Sequence, residues 1–220
     1  MSNHTLRPLV TTLRILYPVW AVVGMFSLIY VPSRIFLKDD LGTTGNNIQN
    51  LSGLFHLGIL GSLTTQLIFI VTAWYLFRLF RETNLPAAQL MLMLALVSVP
   101  MAMLNELFTL TMPLYTDQPD QLRLLVNLHK YGLQIVMLFW GLWLFPLGYL
   151  ISHSGYFPRA VGWLAILGGA GYTLGFLLKL LAPEASAVLQ VCEYLTMGEV
   201  LWLLWLIVAG ARLPEQSVSG

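Results

Sequence analysis

The chain has 220 residues, of which 57% are hydrophobic and only 10% charged, with a formal net charge of +1. Soluble domains carry about 45–50% apolar and about 25% charged residues, so too few charges are present here to cover a water-exposed fold. The near-zero net charge and the lack of any block of like charges imply neither a nucleic-acid partner nor a strongly anionic surface partner, and the single cysteine, Cys192, excludes an internal disulfide and a cysteine metal cage.

A bilayer core about 30 Å thick requires about 20 mostly apolar residues per crossing helix. Six windows satisfy this in chain order: Ile15 to Phe36, Leu54 to Phe80, Pro86 to Met112, Leu122 to Ile151, Arg159 to Leu181 and Ala187 to Ala211. Arg7 and Arg14 before the first window resemble a signal peptide. The window is long for a signal core and no small-x-small cleavage site follows, so it reads as a retained helix. Turn-rich breaks separate the windows at Lys38 to Asn50, Arg81 to Leu85, Pro113 to Asp120, Ser152 to Pro158 and Ala182 to Ser186. Pro100 is expected to kink the third helix. The expected fold class is all-α, a polytopic bundle of six transmembrane helices. Residues 1–12 are expected as an N-terminal cytoplasmic segment, 13–211 as the membrane domain and 212–220 as a tail.

Six crossings return both termini to one side. Arg7, Arg14, Arg78, Arg81, Arg159 and Arg212 lie on that side, and Arg34, Lys38, Arg123, Lys130 and Lys179 on the other. Arg34, Lys130 and Lys179 fall at or inside helix ends, and discounting them places the termini in the cytoplasm. Gly58 with Ser62, and Gly171 with Gly175, have the small-residue spacing that lets membrane helices approach closely, read here as packing within the bundle.

Ionisable side chains in hydrocarbon are costly and mark candidate sites. Alternating helix direction puts Arg34, His56, Asn105, Glu106, Asn127, His129, Lys130, Lys179 and Glu193 in the outer half of the bilayer, with Glu199 and Gln66 near its middle. Glu199 reads either as a proton- or ligand-binding carboxyl or as a neutral acid bonded to another helix through Gln66 or a serine. The ligand-binding candidates are therefore Glu199, Glu106, His129, Glu193, Lys130, Asn105, His56, Arg34 and Gln66. No two histidines share ligand spacing on one helix, so neither metal nor cofactor is expected. No nucleophile elbow, phosphate loop or dinucleotide fingerprint occurs, and catalytic residues are not assigned.

The string FWGLWLFPLGYLISHSGYFPRAVGWLAILGGAGY, from Phe139 to Tyr172, resembles the bacterial membrane family known as domain of unknown function family 4386. Its marks are Gly141, Gly148, Tyr149, the turn Ser154, Gly155, Tyr156, Pro158 and Arg159, then Gly162, Gly171 and Tyr172. GLFHLGIL, from Gly53 to Leu60, is similar to the family's second-helix start, which commonly carries arginine where this chain has His56. GEVLWLLWLIVAG puts Glu199 in a family position, and His129 matches a histidine in part of the family. The resemblance runs from about Leu13 to Ala211. It implies six helices in a bacterial inner membrane and carries no activity.

Three functional readings remain open. The first is a bundle that binds or moves a small amphiphile, lipid or ion through a polar pocket in its outer half, with Glu199 at the floor. The second is a membrane enzyme acting on a lipid or isoprenoid, with Glu106, His129 and Glu199 in acid–base roles. The third is a structural or assembly partner of another membrane protein, through helix contacts or as a homo-oligomer.

Overall fold

The computed structural model describes residues 3–38 and 40–212, so most of the expected tail lies outside the described residues. The described chain is helical apart from its connections. In chain order the helices are α1 (Asn3–Met25), α2 (Val31–Ile35), α3 (Leu41–Asn50), α4 (Ser52–Phe80), α5 (Leu85–Thr111), α6 (Pro119–His153), α7 (Arg159–Leu181), α8 (Ser186–Leu195) and α9 (Met197–Val208). Six stretches are long and apolar enough to cross a membrane: Leu6–Ile35, Ser52–Phe80, Leu85–Tyr115, Pro119–His153, Arg159–Leu181 and Ser186–Val208. The protein is an all-α, multi-pass membrane protein. Helix α1 starts at Asn3, with Leu6, Leu9 and Val10 buried.

The chain forms two compact units. One comprises Met1–Pro18, Ile70–Ser98 and Met137–Gly220, and the other Val19–Phe69 and Val99–Val136. The first contains α7, α8 and α9 whole, and the second contains α2 and α3 whole. Helices α1, α4, α5 and α6 contribute to both.

Glycine governs the first unit. A Cβ at Gly148 would sit 2.5 Å from the Gly162 carbonyl oxygen, and one at Gly169 would sit 2.7 Å from that of Gly141, so α6 and α7 pack backbone to backbone. Helix α7 meets the last span in the same way. A Cβ at Gly171 would lie 2.6 Å from the Cys192 carbonyl oxygen, and a Cβ at Gly198 would collide with the Leu164 carbonyl oxygen. In a bilayer, where apolar burial drives association weakly, such close packing supplies the dispersion contacts that hold helices together. The pair Gly171 and Gly175 thus faces a neighbour within the chain.

The last span is split at Thr196. Glu199 N–H bonds Thr196 O, a three-residue step, at 3.1 Å, and the Thr196 hydroxyl donates to Glu193 O at 2.7 Å. Glu199 therefore stands in the first turn of a new helix. At the far end, Gly210 adopts φ 66° and the Arg14 guanidinium donates to Ile207 O at 2.7 Å, capping carbonyls that hydrocarbon would leave unmatched. Phe157, in the Ser154–Pro158 turn, is buried and its ring centroid lies 5.0 Å from that of Trp202.

In the second unit, a π-helical turn (Phe26–Tyr30) precedes Pro32. Proline has no N–H and its ring crowds the carbonyl four residues back, so the helix widens just before it. Ser27 Oγ donates to Val23 O at 2.9 Å inside this stretch. An apolar cluster of Val31, Ile35, Ile48, Phe55, Ile59, Met112 and Leu122 fills the unit.

Helix α3 occupies the stretch read from sequence as a turn-rich break. Its composition is polar and holds two glycines, so no apolar period marks it. A cap does: Asp40 accepts from Thr43 N–H at 2.9 Å and from the Thr43 hydroxyl at 2.6 Å, while Thr44, Gly45 and Ile48 bury the inner face. Gly45 lets this face approach the Thr116 carbonyl.

Two predictions follow from these contacts. Gly198→Ala forces backbone apart and should destabilise the protein by about 1–3 kcal/mol, whereas Gly53→Ala, which meets nothing within 4 Å, should leave thermal unfolding unchanged. Equal melting of both variants would contradict the packing described. The bonds from Thr43 hold the Asp40 carboxyl below the usual carboxylate range, so this cap is strongest above that range and weakens as pH falls through the lowered value. Exchange protection of the Thr43 amide should drop in acid in the native chain and be low at every pH in Asp40→Ala; matching profiles would refute the cap.

Candidate functional site

A cavity of about 270 Å³ opens in the second unit, walled by Val31, Phe55, Ile59, Met112 and Leu133 and reached by the polar side chains of Glu106, His129 and Lys130. Glu106 is 7% exposed, yet it is a wall residue of this cavity. Its Oε1 accepts from Ser62 Oγ at 2.5 Å. The short serine on α4 reaches the carboxyl on α5, and nearby Gly58 gives the Val31 side chain room to pack against α4. The Gly58 and Ser62 pair thus combines close packing with a hydrogen bond. Among the described hydrogen bonds, Ser62 is the partner of the Glu106 carboxyl.

His129 on α6 is held by its Nδ1. Asn105 Nδ2 donates to His129 O at 3.0 Å and lies 3.1 Å from Nδ1, and the Thr109 hydroxyl lies 2.9 Å from the same atom. The His129 carbonyl can only accept, so the nitrogen end of the Asn105 amide must face it. The Asn105 backbone carbonyl oxygen lies 3.4 Å from the same ring nitrogen. Asn105 itself is 5% exposed, and its Oδ1 lies unpartnered where only the missing side chain of Gly132 makes room.

The remaining sequence candidates are arranged differently. Lys130 is exposed and lines the cavity, with no ion pair to Glu106 among those described. Arg34 is exposed, with its guanidinium carbon 5.5 Å from the Tyr30 ring centroid. His56 is exposed and its Nδ1 lies 2.7 Å from Ser52 O on its own helix, away from the cavity wall. Gln66 is buried with Oε1 unpartnered.

Glu199 and Glu193 belong to the first unit, and neither lines the cavity. The Tyr172 hydroxyl donates to the Glu199 carboxyl, and Tyr17 lies close enough to interact with the same group. Trp202 Nε1 donates to Tyr17 Oη at 3.4 Å. The partner of Glu199 is thus a tyrosine of α7, a residue that the sequence shows without indicating its orientation. Glu193 pairs with Lys179 at 3.8 Å, with its side chain 69% exposed. Among the described residues no three His, Cys, Asp or Glu side chains converge as a metal site needs.

The His129 geometry is testable through its support. Gly132→Ala places a methyl group on Asn105 Oδ1, so Asn105 must turn and release Nδ1. The imidazole nitrogen shifts of His129 should therefore differ between the native chain and the variant. Unchanged shifts would show that Asn105 does not set the ring.

Comparison with known proteins places the chain without adding an activity. An uncharacterized protein of Archaeoglobus fulgidus is 34% identical over 83 residues, which are 38% of this chain and 49% of that protein. The matched segment thus spans about half the length of that curated relative. No solved structure matches. The profile of one family, "Domain of unknown function (DUF4386)", matches residues 15–210. With nearly its whole length matched and its six membrane-long helices in place, the chain belongs to the DUF4386 family.

Proposed function

We propose that this multi-pass protein binds or moves a small membrane amphiphile in the cavity of its second unit. The observation that carries the reading is a buried carboxyl, Glu106, on the wall of a mostly apolar cavity, with Ser62 as its described partner. Hydrocarbon offers no hydrogen bond, and a polar atom kept beside an apolar cavity is matched most simply by a ligand head. Val31, Phe55, Ile59, Met112 and Leu133 offer a surface for an apolar tail. The excess of arginine on the terminal side supports a bacterial inner membrane with both termini in the cytoplasm.

Enzymatic acid–base work draws less support. Among the described bonds, His129 Nδ1 meets Asn105 and Thr109 and no carboxylate. The assembly reading has one observation in its favour: Glu106, Glu193 and Glu199 each have a partner within the chain. The cavity beside Glu106 tells against it, since a purely structural bundle has no need of one.

Native mass spectrometry of the detergent-purified protein tests the reading. Wild type should retain a lipid-sized adduct, Leu133→Trp, which fills the cavity, should lose it, and Leu57→Trp, on an exposed position, should keep it. An adduct carried equally by all three proteins would remove the cavity as its site.

A further inference from the structure

The first unit carries a surface groove of about 420 Å³ between α4 and α5, walled by Trp74, Phe77, Gln89, Leu92 and Met93. We propose that this groove is a site for an anionic phospholipid, with one acyl chain lying in it and the phosphate held by Arg78 and Arg81. Trp74, Gln89 and Met93 are exposed on two membrane-long helices, so the groove opens toward lipid. The Trp74 and Phe77 rings are stacked with centroids 5.6 Å apart. Together with the adaptable thioether of Met93 they form a wall that a flexible hydrocarbon chain can follow.

Charge selects the occupant. Arg78 lies in the last turn of α4, and Arg81 N–H bonds Phe77 O at 2.9 Å, so the helical turn continues to Arg81. Trp74, Phe77, Arg78 and Arg81 are three and four residues apart and share one helix face. Cα–Cβ bonds tilt toward a helix's N-terminus, so both arginine stems set out toward the groove. At 1.5 Å per residue Arg81 stands about 10 Å beyond Trp74 along the axis. The headgroup layer on each side of a bilayer is about 5–8 Å thick, so this step leads from headgroups into hydrocarbon. Gln89 is four residues into α5 from Leu85, between those levels, where its amide can donate to an ester carbonyl. Among the described ion pairs neither arginine has an acidic partner. Glu82, the nearest carboxylate in sequence, acts on the hydroxyl of Tyr156, which is not a groove residue. Two guanidiniums for one phosphate, with no carboxylate in the groove to meet an ammonium, favour a head of net negative charge over a zwitterionic one.

The groove is open to the bilayer, so its lipid exchanges with detergent and is supplied by titration. Palmitoyl-oleoyl phosphatidylglycerol, and phosphatidylethanolamine and phosphatidylcholine with the same chains, are each added to the delipidated full-length protein and the bound lipid read by native mass spectrometry. Wild type should bind the phosphatidylglycerol about five-fold better than either zwitterionic lipid. The double variant Arg78→Gln/Arg81→Gln should bind all three alike, whereas Arg123→Gln, at an exposed position of the second unit, should keep the preference. Met93→Trp, which fills the groove, should weaken binding of all three. Leu133→Trp, in the cavity of the second unit, should bind phosphatidylglycerol as wild type does, which reads the two sites apart. Equal binding of the three lipids by wild type, a result that needs no variant to fold, would overturn the charge selection, as would a preference kept by the double variant. Binding unchanged in Met93→Trp would remove the groove as the site, and dimers lost in that variant with lipid binding unchanged would assign the groove to a second copy of the chain.

Discussion

Hydrocarbon cannot hydrogen-bond, and each polar atom that enters it must be matched within the chain or by a bound molecule. The helices satisfy their own backbones, and short polar side chains return to their own turns: Ser27 to Val23 O, Thr65 to Gly61 O, Ser98 to Ala95 O. Where the backbone pattern is interrupted, a partner is supplied. Arg14 meets the last carbonyls of α9, and a π-helical turn absorbs the proline at position 32. The carboxyls follow the same rule, with Ser62 on Glu106 and Tyr172 on Glu199. Against this background Glu106 and His129 stand out, because they share the wall of one cavity.

The two units use small residues for different ends. In the first, glycines bring α6, α7 and α9 to backbone contact, and Trp202, Phe157 and Tyr17 fill the space around them. In the second, Gly45 meets the Thr116 carbonyl, while two other glycines make room for side chains. Gly58 admits Val31 and Gly132 admits the Asn105 amide. The second use positions chemistry: without the gap at Gly132, Asn105 could not reach both the carbonyl and the ring of His129.

The six crossings were legible in the sequence because bilayer thickness imposes a length that composition alone reveals. Helix α3 was not, since its stability comes from the Asp40 cap and from burying Thr44 and Ile48, which leave no apolar period. The break at Thr196 was hidden by unbroken hydrophobicity on both sides, although Thr196 with Glu199 three residues on has the spacing of a helix start. Polar candidates could be named from sequence, but their grouping could not. Ser62 and Glu106 are 44 residues apart, and their meeting depends on the rotation of α4 and α5 about their axes. Hydropathy carries no such angle. The same holds for Tyr172 with Glu199, and for His56, which turns to its own helix at Ser52.

The central claim is that the cavity lined by Glu106 and His129 holds a ligand. A structure of the protein determined in native lipid nanodiscs tests it most directly. The account predicts density in the cavity within hydrogen-bonding distance of Glu106, continuing as a tail along Ile59 and Leu133. A cavity closed by repacking, with Glu106 turned onto Lys130 and no density between it and His129, would contradict it.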